Sequence, residues 1–190
     1  MTMAKDVYGK AFTTPIGRVS FPYVFERAKA LEPGKEGKYE ITLLIPKSED
    51  ISVIRASMEN VAKEAFGAKF QGLDNLKHPP IRDGDDKGAG DPAFGHWVIR
   101  AKTSKRPLVV DGSRTRIEQK EQLYGGAFGR INVTPASYSL PTSWGVTLYL
   151  NAVQKVRDGE RFGGGDVNAE AAFEALSDSE TQPVDVGDNF

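Results

Sequence analysis

Basic and aromatic side chains interleave on two stretches of alternating pattern. In residues 96–103, Arg100 and Lys102 fall on one strand face, Lys105 and Arg106 carry the positive charge into the following turn, and Arg114 and Arg116 come shortly after. In 126–139, Phe128, Arg130 and Asn132 share a face that Tyr138 extends if no bulge intervenes. Tyr23 adds a ring from an earlier segment rich in β-formers. Cations at this spacing can follow a phosphate chain, and open ring faces can stack on bases at about 1–3 kcal/mol each. A plainer alternative stays open, with Tyr23, Phe25 and Phe128 in the core and the cations solvated. Trp97 and Trp144 lean toward the core, being in phase with Ile99 and with Val146 and Leu148.

Other chemistries find little support. The chain has no cysteine and two histidines, His78 and His96, with no second nitrogen or sulfur ligand at zinc spacing. DGDDKG resembles the start of a calcium loop at Asp83, yet Lys87 stands at its fifth position and Phe94 at its twelfth, where a bidentate Glu is required. A metal-dependent nuclease would rest on Asp83, Asp85, Asp86 and Asp91, which lie in a loop instead of on a scaffold. No Walker loop, nucleophile elbow or dinucleotide fingerprint occurs. The expectation is a binding protein with no catalytic residue, no metal and no cofactor.

The elements that would position these side chains are mostly strands. GKYEITLLIP alternates Tyr39, Ile41, Leu43 and Ile45 against Lys38, Glu40 and Thr42, which predicts a half-buried strand with its second face in solvent. Residues 15–28 read as another strand in which Pro22 favours an edge or a bulge. Ser48 predicts the cap of a helix over 49–66, with Ile51, Ile54, Met58, Val61 and Ala65 on its apolar face and Gly67 as its stop. Residues 68–94 are rich in Gly, Pro and Asp and aperiodic, predicting a long surface excursion. Strands resume at 96–103, around 107–111, and at 126–139 and 144–156 about an SLPTS turn. Five or so β segments and one helix are compatible with an OB-like antiparallel barrel carrying an inserted helix, and with other small barrels.

Charge divides the chain in two. All 25 Lys and Arg precede residue 166, against 19 of the acids, whereas 166–190 hold seven acids and no base. The reading is a basic domain over 1–165 and a flexible acidic tail over 166–190, joined at the glycines 163–165 and ending in Phe190. A basic body suits a polyanion, and a tethered acidic tail can compete for the same surface. Ala169, Ala172, Phe173 and Leu176 also stand at helical spacing, which fits a short helix formed on a partner. The apolar runs are too short to cross a membrane, and the N-terminus lacks a signal-peptide pattern.

Six segments in this order, TPIGRVSFPYVFE, KYEITLLIPKS, PIRDGDD, SKRPLVVD, YGGAFGRINVTPASY and GVTLYLNAVQKVRDGERFGGG, resemble the tailed-bacteriophage single-stranded DNA-binding protein family. The likeness runs from Thr14 to Gly165. It implies an OB-fold with an inserted helix and non-sequence-specific binding that favours single strands. A role in phage DNA replication and recombination, in the cytoplasm of the infected host, is implied as well. A terminal aromatic after acids is similar to tails that recruit partners such as polymerase or helicase/primase, which marks Phe173, Asp185, Asp188 and Phe190. The strand-face argument assigns Tyr23, Arg100, Lys102, Lys105, Arg106, Phe128, Arg130 and Tyr138 to DNA. A general organiser that binds duplex and single strands alike is the alternative.

Overall fold

Alternating β-branched and polar residues form eight strands in the computed structural model, which describes residues 6–30 and 33–163. They are β1 (Phe12–Thr13), β2 (Gly17–Tyr23), β3 (Tyr39–Pro46), β4 (Ile81–Asp83), β5 (His96–Thr103), β6 (Leu108–Val110), β7 (Phe128–Leu140) and β8 (Ser143–Arg157). The one α-helix among the described residues, α1 (Ser52–Phe66), lies between β3 and β4. The strands join one sheet in the order β1-β7-β2-β3-β5-β8-β6, with β4 on β5 and a further β7–β8 pairing that returns the path to its start. The circuit β2-β3-β5-β8-β7 is antiparallel except at the β5–β8 link, a parallel bridge between Lys102 and Tyr149. This is the mainly β, single-helix, OB-like arrangement expected. The acidic tail lies outside the described residues.

The inward period-2 faces fill the interior. Ile41, Leu43 and Ile45 of β3, Ile99 and Ala101 of β5, Ile131 and Val133 of β7, and Val146, Leu148 and Leu150 of β8 are all buried. α1 packs on β7 and β8 and turns Ile54, Met58 and Val61 into the same core. Trp97 and Trp144 pack half-buried against it, Trp144 with its centroid 4.6 Å from that of Phe66.

Two local expectations need correction. The helix starts at Ser52, three residues later than its spacing suggests, and Ser48 does not cap it. The Asp50 carboxylate instead accepts the Ser52 N–H at 2.8 Å and the Ser52 hydroxyl at 3.0 Å, a local turn that keeps 48–50 out of the helix. Gly67 does end it, at φ 53 with its N–H donating to Lys63 O. The second face of β3 is also not open to solvent, because Thr42 and Leu44 are buried. Residues 68–94 cause this by folding back: β4 pairs with β5, and Ala93 joins Leu44 and Val98 in a small outer apolar cluster against which Phe162 packs. Leu73, Leu76 and Ile81 from the same excursion enter the main core.

Lys47 fastens the root of the excursion, with Nζ 2.6 Å from Asp83 Oδ1 and 2.5 Å from Asp85 Oδ2. Hydrogen bonding to Lys47 lowers both carboxyls below the usual 3.8, and the same bonds raise Lys47 above 10.5. The carboxylates' stabilisation is therefore complete above the unfolded value of about 4 and is lost as pH falls through the lowered folded values. Lys47's share is complete below 10.5 and disappears above its raised value. Exchange protection of the Gly95 amide, which donates to Asp85 Oδ1 at 2.7 Å, should hold from roughly pH 5 to 10 and drop in stronger acid. Hydrogen exchange followed by NMR at stepped pH checks this.

Candidate functional site

β2 breaks its pairing at Pro22, the residue whose missing N–H cannot join a ladder. Ser20 faces Thr42 and the next pair is Tyr23 with Glu40, so β2 carries one extra residue there. The bulge puts Phe21 at φ 47, a left-handed conformation that costs a bulky side chain energy. Phe21 is 65% exposed and Tyr23 40%, both on a cleft of about 1420 Å³. An aromatic held in strained backbone and left in water has no packing to account for it.

The outer faces of β3 and β5 form the floor, where register pairs Leu44 with Val98, Thr42 with Arg100 and Glu40 with Lys102. Ala93 and Phe162 pack on the Leu44–Val98 end. Phe162 belongs to a strap over 158–163 that Arg18 ties down, donating from Nε to Gly126 O at 2.7 Å and from Nη2 to Glu160 O at 2.6 Å. The strap passes so close to Gly126 that a Cβ there would sit 2.0 Å from Glu160 O, and the φ of 107 suits glycine as well. Toward the opposite end, Arg106 lies 6.0 Å from the ring centroid of Phe25, which lines the cleft.

Glu40, only 12% exposed, sits between Arg100 Nη2 at 2.5 Å and Lys102 Nζ at 3.8 Å. Burial, then repulsion from Arg100, pushes Lys102 below its usual 10.5, while Glu40 opposes the shift and Lys38 and Arg82 add to it. A lysine destabilised by neighbouring cations is a place where an added anion is favoured. Several lining acids are already neutralised: Asp83 by Lys47, Asp74 by Arg55 at 3.5 Å and Glu26 by Lys120 at 3.7 Å. Asp86 and Asp91 stand on the excursion wall. Cations thus stand on β5 and its following turn, and Arg82, Lys87, Lys120 and Arg161 line the cleft as well.

Of the residues singled out by sequence, Tyr23 and Arg100 line the cleft, Lys102 adjoins it as the register partner of Glu40, Arg106 lies beside Phe25 and Lys105 is exposed on the same turn. The others sit elsewhere. Phe128 lies under two guanidinium groups, Arg18 at 4.8 Å and Arg157 at 3.4 Å from its centroid, and Arg130 donates to Gln154 Oε1 at 2.8 Å. Tyr138 packs on Gly145 at the far end of β7, ten residues and roughly 33 Å of strand from Phe128. Phe173, Asp185, Asp188 and Phe190 lie outside the described residues. Among the described residues, no group of three or more His, Cys, Asp or Glu is placed to hold a metal ion. Sequence reasoning missed Phe21, Arg82 and Phe162. For Phe21 the signal was present, a ring directly before the proline that breaks a strand.

A family model described as the single-stranded DNA-binding protein of Enterobacter phage Enc34 matches residues 10–184. Protein p50 of Acyrthosiphon pisum secondary endosymbiont phage 1 is 31% identical over 177 residues, which span 88% of this chain and 94% of p50. Among solved structures, the bacteriophage Enc34 single-stranded DNA-binding protein in complex with ssDNA is 30% identical with a TM-score of 0.70, over 80% of this chain and 89% of that one. The gp2.5 single-stranded DNA-binding protein of bacteriophage T7 is 20% identical with a TM-score of 0.58, over 89% of this chain and 97% of that one, a likeness of fold.

Proposed function

The chain belongs to the phage single-stranded DNA-binding protein family, a family of binding proteins and not of enzymes, and from that premise we propose that its β2–β3–β5 cleft holds single-stranded DNA without regard to sequence. The observation that carries this reading is Phe21, kept exposed at φ 47 beside Tyr23 over a floor bearing Arg100. Bases stack on Phe21 and Tyr23, since every base has a face to offer. Phosphates follow Arg100 and Lys102 toward Lys105 and Arg106. Phe128 has its ring under Arg18 and Arg157, so this reading gives it a structural part and moves the stacking to the β2 bulge. A duplex keeps its bases stacked inside and cannot use the rings.

The family and the charge pattern extend the proposal. Coating of single strands during phage DNA replication and recombination, in the host cytoplasm, is the setting. Residues 166–190, with seven acids and no base, compete with DNA for the cleft, and Phe173, Asp185, Asp188 and Phe190 recruit replication proteins. Gly163, the last described residue, lines the cleft.

Anisotropy titrations into labelled oligo-dT and an equal-length duplex, at two salt concentrations, test this with and without residues 166–190. Preference for oligo-dT is expected, with affinity falling by about 0.7 log units per log unit of salt for each phosphate held, and tighter low-salt binding after deletion. Equal affinity for duplex would favour the general organiser. Unchanged affinity after deletion would remove the competition idea alone.

A further inference from the structure

The floor of the cleft does not end at Lys102. Register pairs run outward in one transverse row, Tyr23 with Glu40, Glu40 with Lys102, Lys102 with Tyr149 and Tyr149 with Thr134, crossing β2, β3, β5, β8 and β7. All are on the outer face, since their strand neighbours Ile41, Ala101, Leu148, Leu150 and Val133 are buried. Tyr149 stacks on Tyr8 with centroids 6.0 Å apart and planes at 24°, and the two residues stay 39% and 60% exposed. We propose that the Tyr8–Tyr149 pair is a second base-stacking station for single-stranded DNA, reached from the cleft by way of Lys102. The proposal rests on the cleft reading above.

Three observations favour this occupant. Ala93 and Phe162 pack over the Leu44–Val98 part of the floor, whereas from Lys102 the sheet surface continues directly onto Tyr149. Lys102 stands between the two aromatic stations in a positive field to which Arg100, Lys38 and Arg82 contribute. Neighbouring strands are about 4.8 Å apart, which puts Tyr149 roughly 14 Å from Tyr23, within the site sizes of about 4–16 nucleotides found for single OB folds. The surface beyond Tyr149 offers hydrogen-bonding groups: Asn151 Nδ2 donates to Asn132 Oδ1 and to Thr134 Oγ1, both at 2.9 Å. Asp6 is the acid whose field reaches Tyr149, where burial and Tyr8 raise the phenol above 10.0. A ring face needs no local positive charge to stack, so this acid limits phosphate approach more than base contact.

The experiment compares oligo-dT of about 5 and about 15 nucleotides on the full chain, with Tyr149→Ala, Tyr8→Ala and Tyr149→Phe. Tyr149→Ala is expected to weaken the longer oligonucleotide about fivefold or more, as loss of one stack implies, to leave the shorter unchanged, and to be rescued by Tyr149→Phe. Thermal melting confirms that the variants fold. Wild-type binding of both lengths with no effect of Tyr149→Ala would overturn the second station alone, as would equal weakening on both lengths. A changed sedimentation coefficient with unchanged oligo-dT affinity would assign the pair to self-association and also overturn it. If the wild type binds neither length, the cleft reading falls and takes this proposal with it.

Discussion

Phe21→Gly is expected to weaken oligo-dT binding by about 5- to 150-fold while leaving the thermal midpoint unchanged or slightly higher. The affinity loss is one stacking interaction of about 1–3 kcal/mol. The stability argument has the opposite sign. At φ 47 an aromatic residue carries strain of about 1–3 kcal/mol that glycine would relieve. Glycine's greater unfolded-state freedom takes back about 0.5–1 kcal/mol, and a residue 65% exposed loses little burial on removal of its ring. A residue that stabilises the fold cannot give this pair of results. Anisotropy and thermal unfolding on the same preparation separate the readings: a midpoint lowered by many degrees would make Phe21 structural, and retained affinity would end its role as a platform.

What was legible in the chain depended on how local its cause was. The inward alternation of Ile41, Leu43 and Ile45 and the three-and-four spacing of Ile54, Met58 and Val61 name core faces directly, because one period decides them. Pro22 announced a bulge for an equally local reason. The direction in which that bulge turns Phe21 was not legible, since it depends on a left-handed φ that no composition rule assigns to phenylalanine. The cover on Thr42 and Leu44 was hidden too, because it arrives from Ala93 and Phe162, far away in the chain. Arg100 and Lys102 were readable as a cationic strand face, whereas Glu40 pairs with both across the sheet and becomes their partner only once register is known. Phe128 and Arg130 had the same pattern as Arg100 and Lys102. What separates them is their neighbours, because on β7 the Phe128 ring is taken up by Arg18 and Arg157 and Arg130 is held by Gln154.

Glu40 is the least expected residue in a cleft for a polyanion, and Glu40→Gln should tighten oligo-dT binding about tenfold at low salt. The carboxylate is mostly buried and holds the two floor cations, so an entering phosphate must share Arg100 and Lys102 with a fixed negative charge nearby. Tenfold corresponds to about 1.4 kcal/mol, modest beside the several kcal/mol of Coulomb energy between unit charges about 4 Å apart at an effective dielectric constant near 20. The salt dependence should steepen by about 0.7 per phosphate newly engaged. Glutamine keeps the shape and can still accept from Arg100, so the cations stay positioned while the competing charge goes. The variant also loses the one influence that holds the Lys102 pKa up against burial and Arg100. Lys102 in Glu40→Gln therefore deprotonates at lower pH than in the wild type, and the tightening should shrink as pH is raised through that lowered value. Anisotropy against salt at neutral and alkaline pH reads both effects. Weaker binding with an unchanged salt slope would show that Glu40 serves DNA by orienting Arg100 instead of by restraining it.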